Sequence, residues 1–230
     1  MYGFWRAASD GDDILLYEGD QGSEITARFP MLRQQTIHPD DRPNRSLADF
    51  VAPVETGLVD HVGAFAVSCG HGCADLAAKY EADGDDYSAI LVKALADRFA
   101  EAYAEFLHQR ARRVFGYGKE ESFSNEELIA ESYRGIRPAF GYPACPDHSP
   151  KTALFGLLKA DEVGITLTES LAMAPAASVS GIYLGHPASR YFGIGRLTQE
   201  QIADYAPRAG MSLAEAERWL SPSLAYEPKS

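Results

Sequence analysis

A helical period runs through the middle of the chain. From about Asp85 to Val114, apolar side chains recur at steps of three and four residues, which is the spacing of one face of an amphipathic α-helix. At 1.5 Å per residue such a helix would be roughly 45 Å long, enough to cross a whole domain. The residues assigned to its apolar face are Ile90, Ala94, Leu95, Phe99, Ala102, Tyr103, Phe106 and Leu107.

Strand patterns lie on both sides of this helix. Residues 12–17 and 24–29 flank a Gly19-Asp-Gln-Gly22 turn and predict a hairpin. Residues 62–68 predict a buried strand because they are almost continuously apolar. Three more strands are predicted at 164–168, 178–183 and 191–196, and a turn at 185–187 would join the last two as an antiparallel pair.

Capping signals predict shorter helices between the strands. Ser124, Thr198 and Ser212 are each followed three residues later by Glu or Gln, which is the capping-box spacing. Ser149 precedes Pro150, as a cap precedes a proline in the first helical turn. Because strands and helices mix without strict alternation, we predict one α+β domain over residues 1–230, with a central twisted antiparallel sheet packed by long helices.

Composition narrows the partners and the compartment. The 33 acidic and 21 basic residues give a net charge of -12, which would repel nucleic acid and anionic membranes. Three cysteines cannot all pair, which favours a reducing cytoplasm over a disulfide framework. No apolar run resembles a signal peptide or reaches the roughly 20 residues of a spanning helix. We therefore expect a soluble cytoplasmic protein that binds neither nucleic acid nor membranes.

The most unusual segment begins at Arg137 and reads Arg-Pro-Ala-Phe-Gly-Tyr-Pro-Ala-Cys-Pro-Asp-His. Its prolines and glycine predict a rigid, extended loop, which loses little entropy when it binds a ligand. Arg137 can grip a carboxylate through two parallel hydrogen bonds, Gly141 lets a ligand approach the backbone, and Tyr142 offers a flat face and a hydroxyl. A structural loop whose arginine pairs with a nearby carboxylate fits the same composition.

Other candidate chemistry is weaker. Cys69-Gly-His-Gly-Cys73 contains zinc-type ligands, but without a second pair of ligands it is interpreted as a turn after a strand. His148 and His186 are interpreted as structural, and Glu101 as part of a solvated helix face. The chain lacks a glycine-rich dinucleotide loop and a nucleophile elbow. The residues alone therefore indicate a ligand-binding domain, with no catalytic residue and no metal ligand assigned.

Distinctive short blocks occur along nearly the whole chain. The blocks are Ser46-Leu-Ala-Asp-Phe-Val-Ala-Pro53, Gly63-Ala-Phe-Ala-Val67, Lys93-Ala-Leu-Ala-Asp-Arg98, Ser124-Asn-Glu-Glu-Leu-Ile129, residues 135–148, Ala177-Ser-Val-Ser-Gly181 and Glu217-Arg-Trp-Leu220. In this order they resemble the reactivation domain of cobalamin-dependent methionine synthase, which binds S-adenosylmethionine (AdoMet). The family motif Arg-x-x-x-Gly-Tyr stands here as Arg137, Gly141 and Tyr142.

The resemblance implies a function. In this family, cobalamin that has oxidised to its inactive cob(II) form is rescued by one electron, usually from a flavodoxin, and by a methyl group from AdoMet. The reactivation domain holds AdoMet and caps the cobalamin, which carries the difficult chemistry. This chain would then present AdoMet to a cobalamin-binding protein or module, with a flavodoxin-like electron donor, and would not synthesise methionine alone.

The resemblance also assigns site residues. Arg137 matches the arginine that binds the methionyl carboxylate, and Asp49 matches an aspartate that contacts AdoMet through its ammonium. Tyr191 and Phe192 match aromatic positions that border the site, where rings could pack on adenine. Two glutamates align with residues near the ligand. The complete predicted AdoMet site is Asp49, Glu101, Glu131, Arg137, Gly141, Tyr142, Tyr191 and Phe192.

The chain departs from the family pattern in several places. Phe140 replaces a common proline inside the motif, and Phe192 replaces a common tyrosine. The homocysteine, folate and cobalamin modules are missing, and the usual domain extends further towards the N-terminus. We therefore expect either an excised fragment or a separate subunit that acts on a corrinoid protein.

Two other functions stay open. One is a stand-alone AdoMet sensor or interaction module, and the other is a reactivator of a different corrinoid methyltransferase. A small-molecule AdoMet methyltransferase is disfavoured, because no glycine-rich strand-to-helix loop is present.

Overall fold

The computed structural model describes residues 1–19, 22–38 and 42–228. Its main feature is a five-stranded antiparallel sheet with the strand order β3-β2-β1-β4-β7, and a two-stranded sheet of β5 and β6 is separate. The strands are β1 (Tyr2–Asp10), β2 (Asp13–Tyr17), β3 (Ile25–Pro30), β4 (Asp60–Ser68), β5 (Thr166–Leu167), β6 (Met173–Ala174) and β7 (Ser178–Tyr183). The helices are α1 (Cys73–Ala82), α2 (Asp86–Phe115), α3 (Asn125–Ile129), α4 (Lys151–Leu158), α5 (Gln199–Arg208) and α6 (Leu213–Trp219).

The α+β prediction with a central antiparallel sheet is confirmed. The predicted hairpin forms as β2 and β3, with Leu15 opposite Arg28. Its predicted turn includes Asp20 and Gln21, which lie outside the described residues. The long helix is also confirmed, and it ends at Gly116, whose φ of 101° suits the left-handed cap position. Within the described ranges, no helix is both long and apolar enough to cross a membrane.

Two strand assignments from the sequence were incomplete or wrong. The first strand, β1, was not predicted, because its first five residues are all half-buried and give no alternation to detect. The strand predicted at 191–196 is wrong: these residues have no regular structure, so the antiparallel pair that the 185–187 turn was to join does not form. Instead, Ile136 pairs with Leu184, just beyond β7.

The chain divides into two compact units, which we describe separately. The α2 unit contains residues 1–3, 64–133 and 152–181, and the Arg137 unit contains residues 4–63, 134–151 and 182–230. Three of the five boundaries fall inside β1, β4 and β7, and one follows the first residue of α4.

The Arg137 unit has an apolar cluster around its C-terminal helices. Tyr205 of α5 is 1% exposed and packs in this cluster together with Leu32, Ile194, Leu197, Ile202, Ala206, Ala216, Leu220 and Leu224. The same unit buries the carboxylate of Asp13, which accepts hydrogen bonds from Arg28 and Arg208. Because a buried carboxylate is stable only when it is paired, these two arginines hold β2, β3 and α5 together.

A buried arginine organises the α2 unit. Arg112 is fully buried, its Nε donates to Glu121 Oε2 at 2.9 Å, and its guanidinium lies 3.7 Å from the centroid of the Tyr133 ring. The Tyr133 hydroxyl donates to Glu105 Oε2 at 2.9 Å. The segment from Glu121 to Tyr133 is thereby fixed against α2 by charge-assisted and cation–π contacts.

The apolar face that the sequence assigned to α2 is wrong in seven of its eight members. Of the eight residues, only Leu107 is buried. The buried face carries mostly small side chains: Ala89, Ala96, Ala100, Ala104, Leu107, His108, Ala111 and Arg112. Alanine allows the helix backbone to approach its neighbours closely, so the larger apolar side chains remain on the other faces. The helical period is equally consistent with the predicted face and with the alanine face. The volume of the side chains, rather than their hydrophobicity, decides which of the two faces is buried.

The alanine face predicts a contrast between two identical substitutions on α2. Ala104→Leu inserts three carbons into a fully buried position and should lower the free energy of unfolding by about 1–3 kcal/mol. Ala102→Leu adds the same carbons at an exposed position and should change it by no more than about 0.5 kcal/mol. Urea unfolding of both variants measures the difference, and equal effects would contradict this assignment of the buried face.

Candidate functional site

Arg137 lies on a short extended segment that pairs with the chain beyond β7. Ile136 and Leu184 exchange two backbone hydrogen bonds of 3.0 Å, and the Ile182 N–H donates to Pro138 O at 3.0 Å. In such an antiparallel pair, the residue between two bonded positions turns its own N–H and C=O away from the partner strand. The half-buried Arg137 is therefore fixed through the backbone of its two neighbours.

The Tyr191 hydroxyl accepts the outward-turned N–H of Arg137 at 3.0 Å. Tyr191 is 44% exposed and lies in the irregular segment that the sequence had assigned to a strand. The contact brings together two predicted site residues that are 54 positions apart in the chain. It involves the hydroxyl, so the face of the tyrosine ring is not used by this bond.

A tight turn follows Arg137 and requires a glycine. Gly141 has a φ of 92°, its N–H donates to Cys145 O at 2.8 Å, and the Cys145 N–H donates to Tyr142 O at 2.9 Å. A Cβ atom on residue 141 would lie 2.0 Å from Cε1 of His148. Both the backbone conformation and the imidazole therefore disfavour any other residue.

A buried aspartate fixes the loop through hydrogen bonds. Asp147 is 2% exposed and accepts hydrogen bonds from the Ser149 N–H at 2.8 Å, the Ser149 hydroxyl at 2.6 Å and the Tyr205 hydroxyl at 2.6 Å. Burial raises the pKa of Tyr205 well above its usual value, so its hydroxyl keeps the proton that it donates. Through Tyr205, the loop is tied to the apolar cluster of α5.

Two titratable groups in the loop stay uncharged near neutral pH. Desolvation, followed by the nearby charge of Lys151, lowers the pKa of His148 below its usual 6.5. Burial raises the pKa of the Cys145 thiol, which donates to Ala139 O. Because the protonated thiol is a poor nucleophile and already bonded, its role is structural.

The aromatic residues of the loop divide between the interior and the surface. Phe140 is 4% exposed and lies 5.4 Å from Phe29 between ring centroids. Its neighbour Tyr142 is 61% exposed. Phe192 is half-buried, with its ring edge-on to Phe50 at 6.3 Å. The phenylalanine at 140 therefore anchors the loop, and Tyr142 is the ring presented to solvent.

The Asp49 carboxylate accepts several hydrogen bonds within this chain. Its two carboxylate oxygens accept from Arg33 Nη1 at 2.9 Å and Nη2 at 2.6 Å, and the Ser46 N–H donates to Oδ2 at 2.8 Å. Arg33 also binds Asp12, and the bonds to Asp49 are the largest cause that raises the pKa of Arg33. Asp49 thus completes the capping box of the 3₁₀ helix at Leu47–Phe50, whose N-cap is Ser46, and it also holds Arg33.

Glu101 and Glu131 lie in the α2 unit, whereas the other six predicted residues lie in the Arg137 unit. Glu101 is exposed on α2, and Glu131 is exposed just after α3 with a φ of 53°. The contacts of Arg112 and Tyr133 described above connect the elements that carry the two glutamates.

The contacts of His148, Asp147 and Tyr205 that hold the loop were not predicted from the sequence. His148 was interpreted as structural without a partner, and Asp147 and Tyr205 were not considered as a pair. Asp147 lies within the quoted block, so a carboxylate in this loop could have been noted. Nothing in the sequence indicates that Tyr205, 58 residues later, reaches it.

The Gly141 turn predicts a coupled stability effect. Gly141→Ala should lower the free energy of unfolding by about 2 kcal/mol or more, because it adds a left-handed backbone strain and a clash with the imidazole. In a His148→Ala background the clash is gone, and only the backbone part of about 1 kcal/mol should remain. Thermal or urea unfolding of the four proteins completes the cycle, and an equal cost in both backgrounds would exclude His148 as the constraint.

Comparisons with known proteins agree on one family. The family model described as the vitamin B12 dependent methionine synthase activation domain matches residues 1–210. A solved structure, the MetH reactivation domain bound to S-adenosylhomocysteine (AdoHcy), is 50% identical, with a TM-score of 0.95 over 98% of this chain and 70% of that chain. The chain therefore belongs to the family of activation domains of vitamin B12-dependent methionine synthase.

Proposed function

We propose that this chain binds AdoMet and presents its methyl group to cobalamin on a partner protein or module, so that oxidised methionine synthase is reactivated. The observation that carries the proposal is the 50% identical reactivation domain, which binds AdoHcy, the demethylated form of AdoMet. Membership of the activation-domain family supports a cobalamin-binding module as the partner.

The predicted site fits the chemical groups of AdoMet. Arg137 would bind the methionyl carboxylate, because a guanidinium can donate two parallel hydrogen bonds to it. The exposed Tyr142 ring would offer a flat surface, and the Gly141 turn against His148 would hold that residue in place. Since the backbone of Arg137 is already fixed by Ile136 and Tyr191, little further ordering would be needed on binding.

The remaining predicted residues would complete the site from other directions. Tyr191 and Phe192 would border the adenine, and Asp49 would contact the ammonium of AdoMet. Glu101 and Glu131 are proposed as ligand-contacting residues on the family resemblance alone. These carboxylates agree with the net charge of -12, since the ligand carries a cationic sulfonium.

The reaction itself would depend on the partner. Cobalamin, when bound by its own module, supplies the nucleophile that accepts the methyl group. The residues of this chain would contribute proximity and orientation by holding AdoMet in a fixed pose. An electron donor of the flavodoxin type would supply the electron, and the chain alone would not synthesise methionine.

The alternatives differ in whether a corrinoid partner exists. A stand-alone AdoMet sensor would bind AdoMet and retain no corrinoid protein. A reactivator of another corrinoid methyltransferase would support reductive methylation on that protein instead. Incubation with AdoMet, a reductant and a cobalamin-loaded methionine synthase fragment, followed by the absorbance change of cob(II)alamin, distinguishes the proposed function from both alternatives.

Arg137 gives the first test of binding. Arg137→Ala should weaken AdoHcy binding about 100-fold, because two charge-assisted hydrogen bonds to the carboxylate are lost. Isothermal titration calorimetry measures this loss, and Arg218→Ala, an exposed arginine in the same unit, is the matched control. Unchanged affinity in the Arg137 variant would contradict the assignment.

Asp49 needs a test that separates ligand contact from its bond to Arg33. If Asp49 contacts AdoMet, Asp49→Asn should weaken binding about tenfold. Asp12→Asn, which removes the other carboxylate of Arg33, should leave affinity unchanged. Equal losses in both variants, measured by calorimetry, would mean that Asp49 acts only through Arg33.

A further inference from the structure

Glu131 occupies a backbone position that favours glycine. It follows α3 with a φ of 53°, in the left-handed region. The Glu131 N–H donates to Leu128 O at 3.1 Å, and the Ser132 N–H donates to Glu127 O at 3.0 Å. These two bonds are those of a Schellman helix end, in which glycine takes the left-handed position without strain. A residue with a Cβ is strained there, so glycine would be more stable than glutamate at position 131.

Only two other non-glycine residues have a positive φ in the described part of the chain. Lys159 has a φ of 50° and Leu171 has a φ of 59°. A strained backbone persists where surrounding contacts hold it, and it is frequent where a side chain must take one direction for function. The backbone conformation limits the directions that a side chain can take. The contacts that hold Glu131 therefore decide where its carboxylate can reach.

A hydrogen bond two residues after Glu131 connects this segment to α2. Tyr133 is 9% exposed, and its hydroxyl donates to Glu105 Oε2 at 2.9 Å. Glu105 follows Glu101 on α2 by about one helical turn, so these two glutamates share a face of the helix. The bond therefore links the segment that carries Glu131 to the part of α2 that carries Glu101.

The ring of Tyr133 is fixed by its neighbours. The Arg112 guanidinium lies 3.7 Å from the ring centroid, the His108 ring is edge-on at 5.1 Å, and the Phe123 ring lies at 6.4 Å. Arg112 and His108 are both buried. Because the ring is packed and carries a cation–π contact, the direction of its hydroxyl toward Glu105 is fixed as well.

We propose that Tyr133 is a positioning residue for the AdoMet site. Its hydroxyl bond to Glu105 keeps the segment after α3 against α2, and this holds Glu131 in the left-handed conformation that presents its carboxylate to the ligand. Tyr133 acts through Glu131 and does not itself contact AdoMet. The inference rests on the proposed function, because it takes Glu131 as a ligand contact.

A double-mutant cycle with AdoHcy as the ligand tests whether the two residues act together. Tyr133→Phe removes the hydroxyl but keeps the ring on Arg112, and it should weaken binding about fivefold in calorimetric titration. Glu131→Ala keeps the left-handed strain but removes the carboxylate, and it should weaken binding about tenfold. Tyr133→Phe added to Glu131→Ala should cause no further loss, because the carboxylate that Tyr133 positions is gone. A purely structural role would lower the affinity equally in both backgrounds.

A matched pair of glycine substitutions tests the strain. Glu131→Gly should raise the melting temperature by about 2 °C, because glycine relieves the left-handed backbone. It should also weaken AdoHcy binding at least about tenfold. Lys159→Gly relieves the same conformation at another exposed residue of the α2 unit. It should raise the melting temperature by a similar amount and leave the affinity for AdoHcy unchanged.

Three outcomes would overturn the proposal. These are unchanged affinity in Tyr133→Phe, equal losses from Tyr133→Phe in both backgrounds, and a lower melting temperature in Glu131→Gly. Unchanged affinity in Glu131→Ala would remove Glu131 from the proposed site, and the positioning role with it. If the unsubstituted chain binds AdoHcy and Glu131→Ala weakens that binding, a failure of Tyr133→Phe concerns the positioning role alone and leaves the proposed function standing. Circular dichroism checks that each variant is folded.

Discussion

Two backbone hydrogen bonds between Ile136 and Leu184 set the position of Arg137. They add a short extended segment beside the chain that leaves β7, and they turn the backbone of the next residue away from that pairing. The Tyr191 hydroxyl accepts the N–H that results. Because backbone bonds do this work, the arginine side chain is not needed to hold its own segment in place.

A second set of contacts fixes the turn that follows Arg137. Gly141 lies against the His148 imidazole, and the neighbouring Asp147 accepts a hydrogen bond from the Tyr205 hydroxyl of α5. The low pKa of His148 keeps its imidazole neutral, so the contact with the glycine carries no buried charge. A loop that is supported at both ends in this way changes little on binding, which favours affinity for a flexible ligand such as AdoMet.

The sequence predicted local structure better than it predicted which surfaces are buried. The helix at Asp86–Phe115 was clear from its period, but its alanine face was missed because small residues give a weak apolar signal. The hairpin was clear from its turn, whereas the strand predicted at 191–196 failed. In that segment, contacts far along the chain, such as Gln34 Nε2 to Gly193 O at 2.9 Å, replace strand pairing.

In the candidate site, too, the local structure could be predicted from the sequence and the long-range contacts could not. The rigid loop of Arg137 and Gly141 followed from its prolines and glycine, and the family resemblance supplied the ligand. The bond from Arg137 to Tyr191 and the support by Tyr205 depend on pairs that are 54 and 58 residues apart. No local pattern records such pairs, since they arise only when the chain folds.

The Arg137 loop, as the proposed AdoMet site, connects the fold with the proposed function. Within methionine synthase, such a site would supply the methyl group while another module supplies the cobalt. The most direct test is a crystal structure of this chain with AdoHcy. The account predicts the ligand carboxylate within hydrogen-bonding distance of the Arg137 guanidinium and the ligand beside Gly141 and Tyr142. AdoHcy bound elsewhere, with the Arg137 loop in contact with solvent alone, would contradict it.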